Sequence, residues 1–295
     1  MTFRFLIRLV SVLLFLAVAA AVDAYLVEPR LLVTERVTVK IPGLPENLEG
    51  FTIGVLSDLH LDLTPTDRVR RAAETLAGLE PDVVVVVGDF SGGVGSSLEG
   101  PASFGSPGSS GPNGGSKSPS KSPREIMELI DYVLEPVSGA YGVKGNWDRW
   151  LDGGSGSELE NITMLINRGV LVAPNLWLCG VDDALLGFPD IDRAVAGAPD
   201  QAIKLLLTHE PDMADEVLPR HGISLQISGH SHGGQVRLPG IGPVFLPPMG
   251  ETYDMGLYQT QTHQVYTTRG IGMSHLPVRF MCPPEITLIT LTSGR

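Results

Sequence analysis

Five consecutive valines, Val83 to Val87, make the plainest pattern in the chain. A run that short, apolar and β-branched predicts a strand buried on both faces, as in a parallel sheet. Apolar runs at Phe51–Leu56, Ile203–Leu207 and Leu225–Ile227 predict further buried strands. Ahead of the valines, Val69, Ala72, Ala73, Leu76 and Leu79 recur at helical spacing, which predicts a helix over Asp67–Leu79. Strand, helix, strand in that order is a βαβ unit, so the fold class is α/β. The alternation at Val37–Ile41 predicts a strand closed by Pro42 to Pro45. Glu125–Leu134 and Leu159–Arg168 read as helices and Leu176–Cys179 as a strand. Val265–Thr268 and Ile286–Leu291 predict strands of a second, β-rich sheet.

Two stretches break the pattern. From Ser91 to Pro123 the chain is Gly, Ser and Pro with almost no large apolar residue. Such a segment cannot bury enough surface to offset its chain entropy, so a disordered surface insertion at 91–123 is expected. At the N-terminus, Arg4 and Arg8 precede an uncharged run from Leu9 to Val22, and Tyr25 to Val27 prolongs it past Asp23. Residues 1–28 are read as an uncleaved membrane anchor, with a signal segment as the alternative, and 36–295 as the globular domain. The basic residues precede the span, which by the positive-inside rule puts the domain outside the cytoplasm.

With 295 residues and 43% hydrophobic composition, the chain can bury one sizeable core. A net charge of −12 disfavours a nonspecific nucleic-acid binder but not a phosphate-ester substrate, because bound cations reverse the local charge. Cys179 and Cys282 form no metal-binding spacing and are expected as buried free thiols.

The chemistry collects where the apolar runs stop. Asp58-x-His60, Gly88-Asp89, His209 and His230-x-His232 each follow one, and Gly145-Asn146 adds an amide oxygen from a glycine turn. A lone histidine or aspartate after a strand is usually structural or a helix cap. Asp, His and Asn together at successive strand ends point instead to a metal site, since such edges assemble sites in α/β sheets. Oxygen and imidazole donors in this mixture suit Mn, Fe, Zn or Mg.

The chain resembles the calcineurin-like metallophosphoesterase superfamily, within it the bacterial subgroup with an N-terminal membrane segment. The resemblance spans Val37 to Leu291. It rests on S-D-L-H (57–60), P-D-V-V-V-V-V-G-D (81–89), G-N-W-D (145–148), L-L-T-H-E-P-D (206–212) and G-H-S-H-G-G-Q (229–235), with R-G (269–270) and P-P-E (283–285) closing it. It implies a four-layer α/β/β/α sandwich holding two divalent ions. Asp58, His60, Asp89 and His232 would hold one, and Asp89, Asn146, His209 and His230 the other, with Asp89 bridging. Catalytic roles are implied for Asp89, Asn146 and His230. The reaction implied is hydrolysis of a phosphoric ester or anhydride.

Trp147 departs from the family pattern, which has histidine there to assist the leaving group. Indole donates no useful proton to an alkoxide, but it can stack on a base or pack against lipid. Relatives in the resembled superfamily that cleave the UDP-2,3-diacylglucosamine pyrophosphate bond also lack histidine here, and a pyrophosphate leaving group needs less acid help, so the resemblance implies UDP-2,3-diacylglucosamine, of lipid A precursor metabolism, as the first specific substrate. A general phosphodiesterase and a non-catalytic metal-binding scaffold are the alternatives. Trp147 and Arg269 are candidate substrate contacts, and Arg279 is a further guanidinium available for phosphate or an ion pair. His221, His263 and His275 match no motif. A UDP-sugar is cytoplasmic, so this substrate and the charge-rule orientation pull in opposite directions.

Overall fold

The computed structural model describes residues 3–91, 123–151 and 159–294. Most of the expected insertion, residues 92–122, therefore lies outside the described residues. The elements run in the order α1 (Phe3–Val22), β1 (Val33–Lys40), β2 (Thr52–Leu56), α2 (Thr66–Ala77), β3 (Val83–Val87), α3 (Pro123–Leu134), β4 (Ala140–Val143) and β5 (Ile162–Met164). There follow β6 (Arg168–Ala173), β7 (Leu176–Gly180), α4 (Ile191–Val195), β8 (Ile203–Leu207) and β9 (Ile223–Ser228). The chain closes with β10 (Arg237–Leu238), β11 (Gly242–Pro243), β12 (Gly256–Gln259), β13 (Gln264–Thr267) and β14 (Glu285–Thr292).

Two six-stranded sheets form, ordered β1-β14-β2-β3-β4-β5 and β12-β13-β9-β8-β7-β6. The valine strand β3 is parallel to both its neighbours, β2 and β4. Strands β7, β8 and β9 are likewise parallel in the second sheet. The sheets share one core, in which Val55, Val85 and Val87 from the first meet Leu205, Leu207 and Ile227 from the second. On the outer face of the first sheet, α2 and α3 bury Val69, Leu76, Ile130 and Val133. A Cβ on Gly54 would lie 3.0 Å from Leu76, so glycine there lets α2 settle on β2. Burying a leucine completely, as at Leu76, contributes about 1.5–3 kcal/mol. The outer face of the second sheet is covered by short pieces, with Ile191 and Ala194 of α4 packing near Met213 and Val217. The result is the α/β/β/α sandwich, thin on its fourth layer.

Two expectations are corrected. Leu159–Arg168 is not helical, because Ile162–Met164 pairs with β4 as an edge strand. Ile162 and Met164 point into the core while Thr163 is exposed, and the Asp131 carboxylate accepts the Glu160 and Asn161 N–H groups at its start. The spacing of Leu159, Ile162 and Ile166 fitted a helix, but the pairing available from β4 decides the outcome. The Ile286–Leu291 strand does not join the second sheet. As β14 it enters the first, parallel to β1 and antiparallel to β2.

Candidate metal centre

Five parallel strands deliver side chains to one place. Asp58 follows β2, Asp89 follows β3, Asn146 follows β4, His209 follows β8 and His230 follows β9, each within three residues of the strand end. The two sheets face each other, so their C-terminal edges pool these residues. Asp58, His60, Asp89, His209, His230 and His232 are all buried. Their donor atoms fall into two clusters, Asp58–His60–His232 and Asp89–His209–His230, each with atoms within 4.8 Å of one another. The clusters meet at one oxygen, since Asp89 Oδ2 is 3.4 Å from His60 Nε2 and 3.2 Å from His209 Nε2.

The backbone is strained to achieve this. Asp58, His60, Asp89, His230 and His232 all take left-handed conformations, with φ of 53°, 42°, 53°, 69° and 51°. Non-glycine residues pay roughly 1 kcal/mol or more each for that region, and such strain gathers at functional sites. Glycines make the remaining room. A Cβ on Gly145 would sit 2.2 Å from Asp89 Oδ1, and one on Gly229 only 2.0 Å from Ser57 Oγ.

Hydrogen bonds fix which nitrogen each imidazole presents. His209 Nδ1 donates to the Val87 carbonyl at 2.7 Å, and His230 Nε2 donates to the Pro248 carbonyl at 2.9 Å. That turns His209 Nε2 and His230 Nδ1 towards the cluster, an arrangement typical of metal-binding histidines. His60 Nε2 and His232 Nε2 face each other at 3.2 Å, so a proton or cation must lie between them. Asn146 Oδ1 is buried without a hydrogen-bond partner. Buried acceptors are seldom left unpaired, and this one fits a cation.

The electrostatics separate the members. Burial works against ionisation of Asp89, but His209, His60 and His230 outweigh it and hold the carboxyl well below the usual range. His209 moves the other way: burial lowers it, and the Asp89 carboxylate lifts it well above an ordinary imidazole. Burial, with His209 adding repulsion, brings His230 down to about 4. Burial also depresses His232, helped by His60 and Arg279. Both therefore stay neutral with a lone pair available. Burial raises Asp58.

Around the cluster, Asp148 is fully buried and accepts the N–H groups of Phe90 at 3.0 Å and Gly145 at 2.9 Å. It thereby ties the Asp89 loop to the Asn146 loop. The Trp147 N–H donates to Asp89 Oδ1 at 3.1 Å, which turns Oδ2 towards the histidines. The Trp147 ring is 36% exposed and meets His275 edge-on, centroids 6.2 Å apart. Arg269 does not present a free guanidinium. It pairs with Glu285 and with Glu35, so the ion pair is the alternative that forms. Arg279 is wholly buried and donates to the carbonyls of Gly270, Gly272 and Cys282, bracing the loop beside His232. His221 and His263 are buried structural residues, and both cysteines are buried free thiols. Arg279 and Asp148 organise the centre through main-chain atoms, a role that side-chain motifs do not signal, and the Asp148 bond to Phe90 spans 58 residues.

Two adjoining carboxylate–imidazole clusters, between the C-terminal edges of a two-sheet sandwich, define the class as metal-dependent phosphoric ester hydrolases. Residues 51–234 match the family model described as calcineurin-like phosphoesterase, and the chain belongs to that family. An uncharacterized metallophosphoesterase of Bacillus subtilis, YkuE, is 30% identical over 90% of this chain and 87% of its own length. A zebrafish (Danio rerio) transmembrane protein with a metallophosphoesterase domain is 30% identical over 86% of this chain but 56% of its own length. Phosphodiesterase YaeI of Escherichia coli is 36% identical over 44% of this chain and 47% of its own length. The chain thus spans about half the length of these last two relatives.

Proposed function

We propose that this protein is a membrane-anchored dinuclear phosphohydrolase acting on phosphodiester or pyrophosphate bonds of amphiphilic substrates. The observation that carries the reading is Asp89 Oδ2, set within 3.4 Å of one cluster's imidazole and 3.2 Å of the other's. On this reading Asp58, His60, Asp89 and His232 would hold one divalent ion, and Asp89, Asn146, His209 and His230 the second. Two such ions, when bound, would supply charge neutralisation for the phosphoryl oxygens and a more acidic water for an in-line displacement. Mn, Fe, Zn and Mg all suit these donors.

The chain's own groups do the rest. Asp148 and the Trp147 N–H hold the Asp89 and Asn146 loops in register. Asn146 offers an oxygen without adding negative charge. Beside it, a cavity of about 160 Å³ lined by Lys144, Arg149, Asp182 and Phe188 gives room for the non-reacting part of a substrate. Trp147 offers an indole where a leaving group could stack. The anchor reading is supported by an apolar helical segment, Phe3–Arg30, long enough to cross a bilayer. A nucleotide-diphosphate lipid such as UDP-2,3-diacylglucosamine is the first specific substrate to assay, because its leaving group needs less acid help.

The test is hydrolysis of bis(4-nitrophenyl) phosphate by purified protein. Chelation should remove activity, and Mn or Zn added back should restore it. Activity that survives exhaustive chelation contradicts the reading.

A further inference from the structure

From Leu238 to Gly250 the chain carries no charged or polar side chain, although the protein has a net charge of −12. The segment is not hidden. Ile241 is 76% exposed, Val244 61% and Phe245 64%. It takes in the turn and second strand of the β10–β11 hairpin, and near its end the Pro248 carbonyl accepts from His230. Its turn therefore lies on solvent while its end touches the candidate metal centre.

The same surface meets the base of the N-terminal helix. The large apolar side chains of the helical segment stay exposed as far as Val27, and then Glu28 and Pro29 are buried. The Glu28 carboxylate accepts the N–H groups of Met281 and Cys282, and the Arg279 N–H donates to the Ala24 carbonyl at 3.0 Å. Next to them, Phe280 bridges to Val236 at the start of the hairpin. Gln235 donates to the carbonyls of Ser274 and Leu276, binding in the loop that carries His275. Leu276 and Met281 on these pieces are exposed as well, at 59% and 52%. Exposed apolar side chains from three backbone segments thus surround the point where the span leaves the body, beside the Trp147–His275 pair.

Soluble surfaces rarely gather such a patch, and apolar side chains with aromatic members adjoining a span are characteristic of the bilayer interface. We propose that the 238–250 segment, with Leu276 and Met281, rests in the interface of the bilayer that holds α1, so that the metal centre opens at the level of the lipid headgroups. The occupant is lipid rather than another protein because the patch is continuous with the exposed face of the span. The substrate class follows: phosphodiesters or pyrophosphates whose reacting phosphorus lies in the headgroup layer. This inference rests on the anchor reading, and the test separates the two.

Full-length protein carrying Ile241→Cys, labelled with an environment-sensitive fluorophore, is placed in nanodiscs containing doxyl-labelled phosphatidylcholine. Cys179 and Cys282 are buried and should not label. Leu171→Cys, on exposed β6, is the control. Quenching severalfold stronger at 241 than at 171 is expected. Equal quenching in protein that resists carbonate extraction from membranes overturns the interface while leaving the anchor. Protection of the 241 label from aqueous quencher without lipid quenching identifies a protein partner and also overturns it. Release of the protein by carbonate overturns the anchor reading and the interface together.

Discussion

Trp147 stands where the sequence resemblance led us to expect histidine, and its place in the structure sharpens the consequence. Its main chain serves the Asp89 carboxylate, while its ring stands half-open at the surface against His275. The position thus orients a ligand candidate without supplying a proton. Turnover should then depend steeply on leaving-group acidity, with aryl esters and pyrophosphates favoured over alkyl diesters. General acid assistance is typically worth roughly a hundredfold to ten-thousandfold. Trp147→His is expected to raise turnover of alkyl diesters by a sizeable part of that range and to change pyrophosphate cleavage much less. Equal wild-type rates on alkyl and aryl esters would show that another group, His275 first, provides the proton. Much of the centre was legible at this scale, because Asp58, Asp89, His209 and His230 each stand two residues past a strand end. The partners of Arg269 were not: Glu35 lies 234 residues away, and no local pattern encodes that pairing.

Among the elements, those with strong local patterning matched and those defined by distant pairing did not. The valine strand runs from Val83 to Val87 as its composition dictates, and α2 keeps its four-residue apolar stripe towards β2. Strand β14 could not be placed from its own residues, because alternating Ile, Leu and Thr fit either sheet. Its position is decided by pairing with β1 across the whole of Val33–Lys40. The β12–β13 hairpin offers a test at this scale. In its turn His263 is buried, with Nδ1 near the Thr260 and Thr262 hydroxyls and Nε2 unpartnered, and burial lowers its pKa to about 4. The unfolded chain takes up that proton near pH 6.5 and the folded chain only near 4, so the native state loses stability as pH falls through this window. Above pH 6.5 the residue contributes no such dependence. His263→Gln should melt with a shallower decline between pH 7 and 5 than wild type. An unchanged decline would mean that His263 is protonated in the fold without penalty.

At the scale of the molecule, two half-sites exist only because two sheets face each other. Asp58 and Asp89 come from the first sheet, and His209, His230 and His232 follow strands of the second. Neither sheet alone brings three donors of both clusters together. Sequence motifs could mark these residues as metal-binding candidates, but the docking of Glu28 onto Met281 and Cys282 is a long-range contact that motifs do not carry. The central claim is that one carboxylate joins the two clusters. It is tested most directly by metal content, measured by inductively coupled plasma mass spectrometry on purified wild type and Asp89→Ala, with circular dichroism to establish that the variant folds. The account predicts close to two divalent ions per wild-type chain, and a folded variant that has lost most of both and its turnover. Near-stoichiometric metal and retained activity in Asp89→Ala would contradict it.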